Sequence, residues 1–265
     1  MASATAKSQW IHDVETDFHE KTKDDDTNCY IDVDASRFPL RGKNYLSDRK
    51  KFPSEEAAFK LVCSKCFRTD YKLPNAVDSI DSLQKFLDDN SDKEYFIQTW
   101  LVPGHFTVVS LYERTLERGK DAVFDRLYDK FRYGDPIFQK ERFKFIPEII
   151  DAPWAIKKTV QILSGSIRPV LLSKRLKTSF HNGKNYFEVS VDTGSSYAVG
   201  MAASTMVKSF AKIVANLSFL VEGRDEQELP ERVIAAHSFS KVDVKSVGIR
   251  LLKISSSTSC SSTET

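Results

Sequence analysis

Apolar positions fall into short runs with the strand period, interrupted by a few stretches with the helix period. Residues 59–67, 95–102 and 106–113 are β-branched and aromatic runs that predict strands, the last two joined as a hairpin by Pro103-Gly104-His105. Leu83, Phe86 and Leu87 recur at helical spacing and predict a helix over 81–89, with Asp78 or Asp81 available as its cap. Phe124, Leu127, Tyr128 and Phe131 follow the i, i+3, i+4, i+7 pattern of an amphipathic helix over 121–131. Asp135-Pro136 then caps and opens a second, shorter helix. Residues 170–180 and 185–192 predict paired strands across His181-Asn182-Gly183-Lys184, whose Asn-Gly suits a type I′ turn.

Beyond that hairpin, Ser195 or Ser196 is placed to cap a long helix reaching roughly to Leu217, in which Gly200, Ala202, Ala203 and Ser204 leave little side-chain bulk. Strands near 218–222 and 233–242 follow, and shorter ones are expected at 10–14 and 29–33. The stretch RGKNYLSDRKKFP (Arg41 to Pro53) is too polar for regular structure and reads as an extended loop with a turn. Strands that succeed one another through short turns, with few helices between, predict an α+β fold. A mostly antiparallel, curved sheet packed on the long helix is one arrangement of these elements, helix-grip-like and usually enclosing an apolar cavity. The main domain is expected over 37–250, behind an acidic segment (1–36) with partial disorder and before a disordered Ser/Thr-rich tail (251–265).

Charge changes the picture in two places. The net charge of +2 provides no global field for nucleic acid. Yet residues 157–185 carry seven bases (Lys157, Lys158, Arg168, Lys174, Arg175, Lys177 and Lys184) and no acid, a pattern that suits anionic headgroups. Arg142, Lys144, Trp154, Lys157 and Lys158, interleaved with Phe143, Phe145 and Ile146, form a second constellation able to hold a lipid. Both groups also read as strand residues alternating between core and water. The one apolar stretch, 196–221, has Lys208 and Lys212 near its middle, which argues against a membrane span. With no leader peptide in the sequence, Cys29, Cys63, Cys66 and Cys260 read as reduced thiols of an intracellular protein, and the Cys63-Ser-Lys-Cys66 pair as core packing. His12, His19, His105, His181 and His237 are scattered, and no nucleophile elbow, phosphate loop or zinc motif occurs. Asp192 with Ser195 and Ser196 lacks a base nearby. Neither catalysis nor a metal or cofactor is expected.

Four segments in order carry a family resemblance: RGKNYLSDRKKFP (Arg41 to Pro53), RFKFIPEIIDAPW (Arg142 to Trp154), GKNYFEVSVDTGSS (Gly183 to Ser196) and EGRDEQELPERV (Glu222 to Val233). From about Trp10 to Asp243 the chain resembles the C-terminal domain of the plant enhanced-disease-resistance-2 proteins, in a stand-alone version. In larger plant proteins that domain often follows a phosphoinositide-binding and a lipid-binding module. The resemblance therefore implies non-catalytic, lipid-linked or membrane-peripheral regulation, cytoplasmic or at internal membranes, with an anionic lipid or apolar ligand as partner. The alternative it leaves open is a protein-interaction or scaffold subunit of a larger assembly.

Overall fold

The structure is a computed structural model that describes residues 19–22, 25–154, 169–196 and 209–251. Its strands are β1 (His19–Glu20), β2 (Cys29–Asp32), β3 (Pro39–Arg41), β4 (Lys51–Pro53), β5 (Phe59–Arg68), β6 (Tyr95–Val102) and β7 (Phe106–Arg114). Further along come β8 (Phe143–Asp151), β9 (Val170–Leu171), β10 (Lys177–Asn182), β11 (Tyr186–Asp192), β12 (Val214–Val221), β13 (Val233–Ser240) and β14 (Ile249–Arg250). The α-helices are α1 (Tyr45–Asp48), α2 (Ala76–Ser79), α3 (Asp81–Asp89), α4 (Ala122–Tyr133), α5 (Pro136–Arg142) and α6 (Val244–Val247).

The strands form two six-stranded sheets, in the orders β10-β11-β6-β7-β5-β14 and β1-β2-β13-β12-β8-β9, with β3 and β4 as a separate pair. Most pairings are antiparallel, as expected of an α+β chain; β11 runs parallel to β6, β1 to β2 and β14 to β5. Period-two alternation fixes the layers. Phe96, Tyr112 and Phe187 of the first sheet meet Phe143 and Phe219 of the second, and α4 adds Phe124, Tyr128 and Phe131 to the same core. The rings interlock: Phe143 stacks on Phe219 at 6.0 Å and on Phe131 at 5.9 Å. The outer face of the first sheet is covered by α2 and α3 through Val77, Leu83 and Phe86. Phe38 and Leu40 cover the outer face of the second, against Ile146, Leu220 and Val233.

Several expectations change. The helix reaching to Leu217 is not formed in its described part: Phe210–Lys212 is a 3-10 turn and Val214–Val221 is β12, paired on both sides by β13 and β8. Residues 197–208 lie outside the described residues, and the longest described helix is α4, with 12 residues. Pairing along both edges, with residues 218–221 buried in succession, outweighs the helical propensity of the alanines before it. The strand expected over 170–180 is divided. Its first residues join β8 in one sheet, and Lys177–Asn182 joins β11 in the other, with a 3-10 turn at Leu172–Lys174 carrying the chain across. Leu172 and Leu176 are buried in the shared core there, which tertiary packing rewards over a continuous strand.

The β10–β11 pairing stands, but neither Asn182 nor Gly183 has a positive φ, so the turn is not type I′. Tyr186 lies so close over Gly183 that a Cβ there would sit 1.9 Å from its ring. Neither Asp78 nor Asp81 caps α3, whose N-cap position is Ile80; Asn75 instead caps α2 by accepting from the Asp78 amide. Residues 41–53 are more regular than a loop, forming the β3–β4 pair around α1. The strand expected at 10–14 lies outside the described residues.

Candidate functional site

Three of the four motif segments meet in one buried ion-pair network. Lys144 on β8 is 4% exposed and its ammonium pairs with Glu231, whose side chain is fully buried. Glu231 also accepts from the Arg41 amide at 3.1 Å and the Gly223 amide at 3.1 Å. Arg41 donates to Glu222 Oε1 at 2.7 Å and to the Gly223 carbonyl at 2.6 Å. Arg142 donates to Glu228 Oε2 at 2.6 Å and to the Glu222 carbonyl at 2.8 Å. Burial pushes the Lys144 ammonium below its ordinary range, against the pull of Glu231. Burial also disfavours the Glu228 carboxylate, but the Arg224 amide, Arg142 and Lys130 outweigh it and hold the group at about 2. Removing either partner of such a pair strands a charge in a poor solvent, so these residues hold the loop after β12 onto β3 and β8.

The fourth segment is also structural in its polar residues. Glu188, fully buried, accepts from the Ala76 and Val77 amides at 2.8 and 3.2 Å and from the Thr99 hydroxyl at 2.8 Å, fixing the start of α2 against the sheet. The start of the helix that Ser195 or Ser196 is expected to cap lies outside the described residues. The Ser195 hydroxyl accepts from the Lys177 amide at 2.8 Å and donates to the Asp192 carbonyl at 2.6 Å, closing the open end of the β10–β11 pair. At the other end Arg132 donates to the carbonyls of Gly183 and Tyr186, both at 3.0 Å.

These contacts redistribute the expected lipid constellation. Arg142 and Lys144 face internal carboxylates, so neither offers its charge to a headgroup. Trp154 is exposed, but it stands beyond the far end of β8 from both. Lys157 and Lys158 lie outside the described residues. Lys174, Arg175 and Lys177 remain together at the surface, on and just after the 3-10 turn that follows β9, and no acid among the described residues forms an ion pair with them. Lys184 is exposed at the opposite end of β10, roughly 20 Å away at about 3.3 Å per strand residue.

Sequence reasoning missed Arg41, Glu222, Glu228 and Glu231, although the family segments contain all four. Matching charges at distant positions was the available signal, and nothing local pairs them. His237 was also missed. It is buried between the sheets with Nδ1 against the Tyr112 hydroxyl, and desolvation drives its imidazole down to about 3, so it is neutral. Cys63 and Cys66 pack in different core clusters on opposite faces of β5, which prevents their pairing, and burial pushes the Cys66 thiol up to about 12. Two small pockets open at the surface, about 230 Å³ beside the β6–β7 turn with Lys72 and Asp192, and about 140 Å³ at Arg68, Thr69 and Arg250. No group of three His, Cys, Asp or Glu side chains able to hold a metal ion occurs among the described residues.

The profile of the family described as "Protein ENHANCED DISEASE RESISTANCE 2, C-terminal" matches residues 30–243. A curated relative from Arabidopsis thaliana, "Protein ENHANCED DISEASE RESISTANCE 2-like", is 28% identical over 223 residues, covering 83% of this chain. The chain spans only 29% of that relative's length. No solved structure matches it.

Proposed function

The chain belongs to the Enhanced Disease Resistance 2 C-terminal family, and on that premise we propose that it is a non-catalytic regulatory module resting peripherally on an anionic lipid surface. The observation that carries this reading is the clustered exposure of Lys174, Arg175 and Lys177. Arg41, Arg142 and Lys144 are engaged internally, whereas these three face water without an acidic partner among the described residues. Each exposed base near an anionic bilayer contributes about 1 kcal/mol, so three together shift partition by roughly two orders of magnitude. The ring-packed core between the sheets supports surface contact over enclosure of a lipid. Among the described residues no helix is long and apolar enough to cross a membrane.

Co-sedimentation with phosphatidylserine-containing vesicles tests the reading. The triple variant K174E/R175E/K177E should partition at least about tenfold less than the unaltered chain, with an unchanged melting temperature. Equal partition of the two proteins would contradict it. A second reading, a protein-docking scaffold, has one observation in its favour: Tyr133 and Ile137 are 65% and 71% exposed where α4 passes into α5. Under that reading, vesicles are ignored and replacing Tyr133 and Ile137 by serine releases a partner.

A further inference from the structure

The β3–β4 hairpin presents an unusual surface for a connecting loop. Between Gly42 and Pro53 it holds four bases (Lys43, Arg49, Lys50 and Lys51) against a single acid, Asp48, and all four bases are exposed. Asp48 is engaged within the hairpin, its carboxylate accepting from the Lys50 amide at 2.8 Å. Two large apolar side chains stand among these charges, Leu46 at 37% and Phe52 at 54% exposure.

The hairpin is built to hold that surface in place. Its base is fastened by Arg41 to Glu222, Gly223 and Glu231. The Gly42 amide donates to the Lys50 carbonyl at 3.2 Å, and the Arg41 and Arg49 guanidiniums lie over the Tyr45 ring at 5.0 and 5.7 Å. The Phe52 ring lies across Gly42, where a Cβ would come within 2.5 Å of it, so glycine is required for that ring position. The hairpin also shares one end of the second sheet with the basic turn. Arg41 bonds Glu231, Glu231 pairs with Lys144, and Lys144 is the β8 residue opposite Leu171, three positions before Lys174.

We infer that the hairpin of residues 42–53 is a membrane-docking finger, its bases held on anionic headgroups while Leu46 and Phe52 enter the interface between headgroups and acyl chains. Charge complementarity selects this occupant. An excess of bases around two exposed apolar side chains matches an anionic bilayer, which offers both a negative surface and an apolar layer within reach. The ordered base lowers the conformational cost of docking, because the finger is already folded. The inference rests on the membrane reading above and adds the element that enters the bilayer.

The test uses the full chain with vesicles of phosphatidylcholine, with and without phosphatidylserine. The variant Leu46→Ser/Phe52→Ser should partition about fivefold less onto the anionic vesicles, with its salt dependence unchanged. The variant K43E/K50E/K51E should lose partition and show a shallower salt dependence. A Leu46→Trp variant keeps the test valid if the serine pair fails to fold. Its emission should shift to the blue on anionic vesicles, beyond any shift of the unaltered chain. If the serine and glutamate variants bind like the unaltered chain, or the emission of Leu46→Trp does not move, the finger is refuted. Loss of binding in K174E/R175E/K177E alone would then leave the membrane reading standing. If the unaltered chain ignores anionic vesicles altogether, both fall.

Discussion

Lys144 and Glu231 show how one residue pair can invert a functional expectation. A lysine beside two phenylalanines invites a headgroup, yet burial ties its charge to Glu231 inside the fold. Replacing Glu231 by alanine should lower the unfolding free energy by about 3–5 kcal/mol in denaturant titrations, since Lys144 would be left charged and unpaired in the interior. His237 gives a pH signature. Its folded pKa lies near 3, below the unfolded value of 6.5, so between these the unfolded chain binds the extra proton. Stability is therefore complete above pH 6.5 and falls as pH drops through that window, by up to about 1.4 kcal/mol per pH unit from this group. His237→Gln should be less stable than the unaltered chain at pH 7, and the gap should narrow steadily from pH 6.5 towards 3. A gap that stays constant would mean that the imidazole is protonated in the fold.

At the scale of elements, the sequence was most legible where a period and a cap agreed. Phe124, Leu127, Tyr128 and Phe131 marked α4, and Asp121 accepts from the Phe124 amide at 2.9 Å. Asp135 likewise caps α5 by accepting from Ile137 and Phe138, with Pro136 following it. These two caps differ in a testable way. Asp135→Ala should cost about 0.5–2 kcal/mol in thermal or chemical unfolding. Asp121→Ala should cost more, because Asp121 also pairs with the nearly buried Arg232 at 2.7 Å. Equal costs would mean that the Arg232 contact contributes nothing. Legibility failed where distant residues decide local structure. The division of 170–180 depends on two different sheets claiming its ends, and β12 depends on β8, which is far away in sequence. The helix start that Ser195 or Ser196 is expected to cap lies outside the described residues, but the Ser195 hydroxyl bridges two strand ends, a contact that its neighbours in sequence do not announce. Ser195→Ala should therefore cost about 1 kcal/mol, seen as a lower denaturation midpoint.

For the molecule as a whole, the α+β class and most strand positions could be read from the chain, but the sheet order could not. Nothing in residues 95–102 or 186–192 announces that they run parallel as neighbours. The same limit applied to the candidate site, where the segment containing Lys174, Arg175 and Lys177 was visible as an acid-free run of bases. Which bases stay exposed follows only from the folded ion pairs. Whether the exposed bases bring the chain to an anionic bilayer is decided by its partition onto vesicles as a function of salt. The full chain should bind phosphatidylserine-containing vesicles at low salt, and binding should fall progressively as the Debye length shrinks to about 8 Å at physiological ionic strength. Binding to phosphatidylcholine alone should be far weaker. Equal binding to neutral and anionic vesicles, or no response to salt, would contradict the membrane reading.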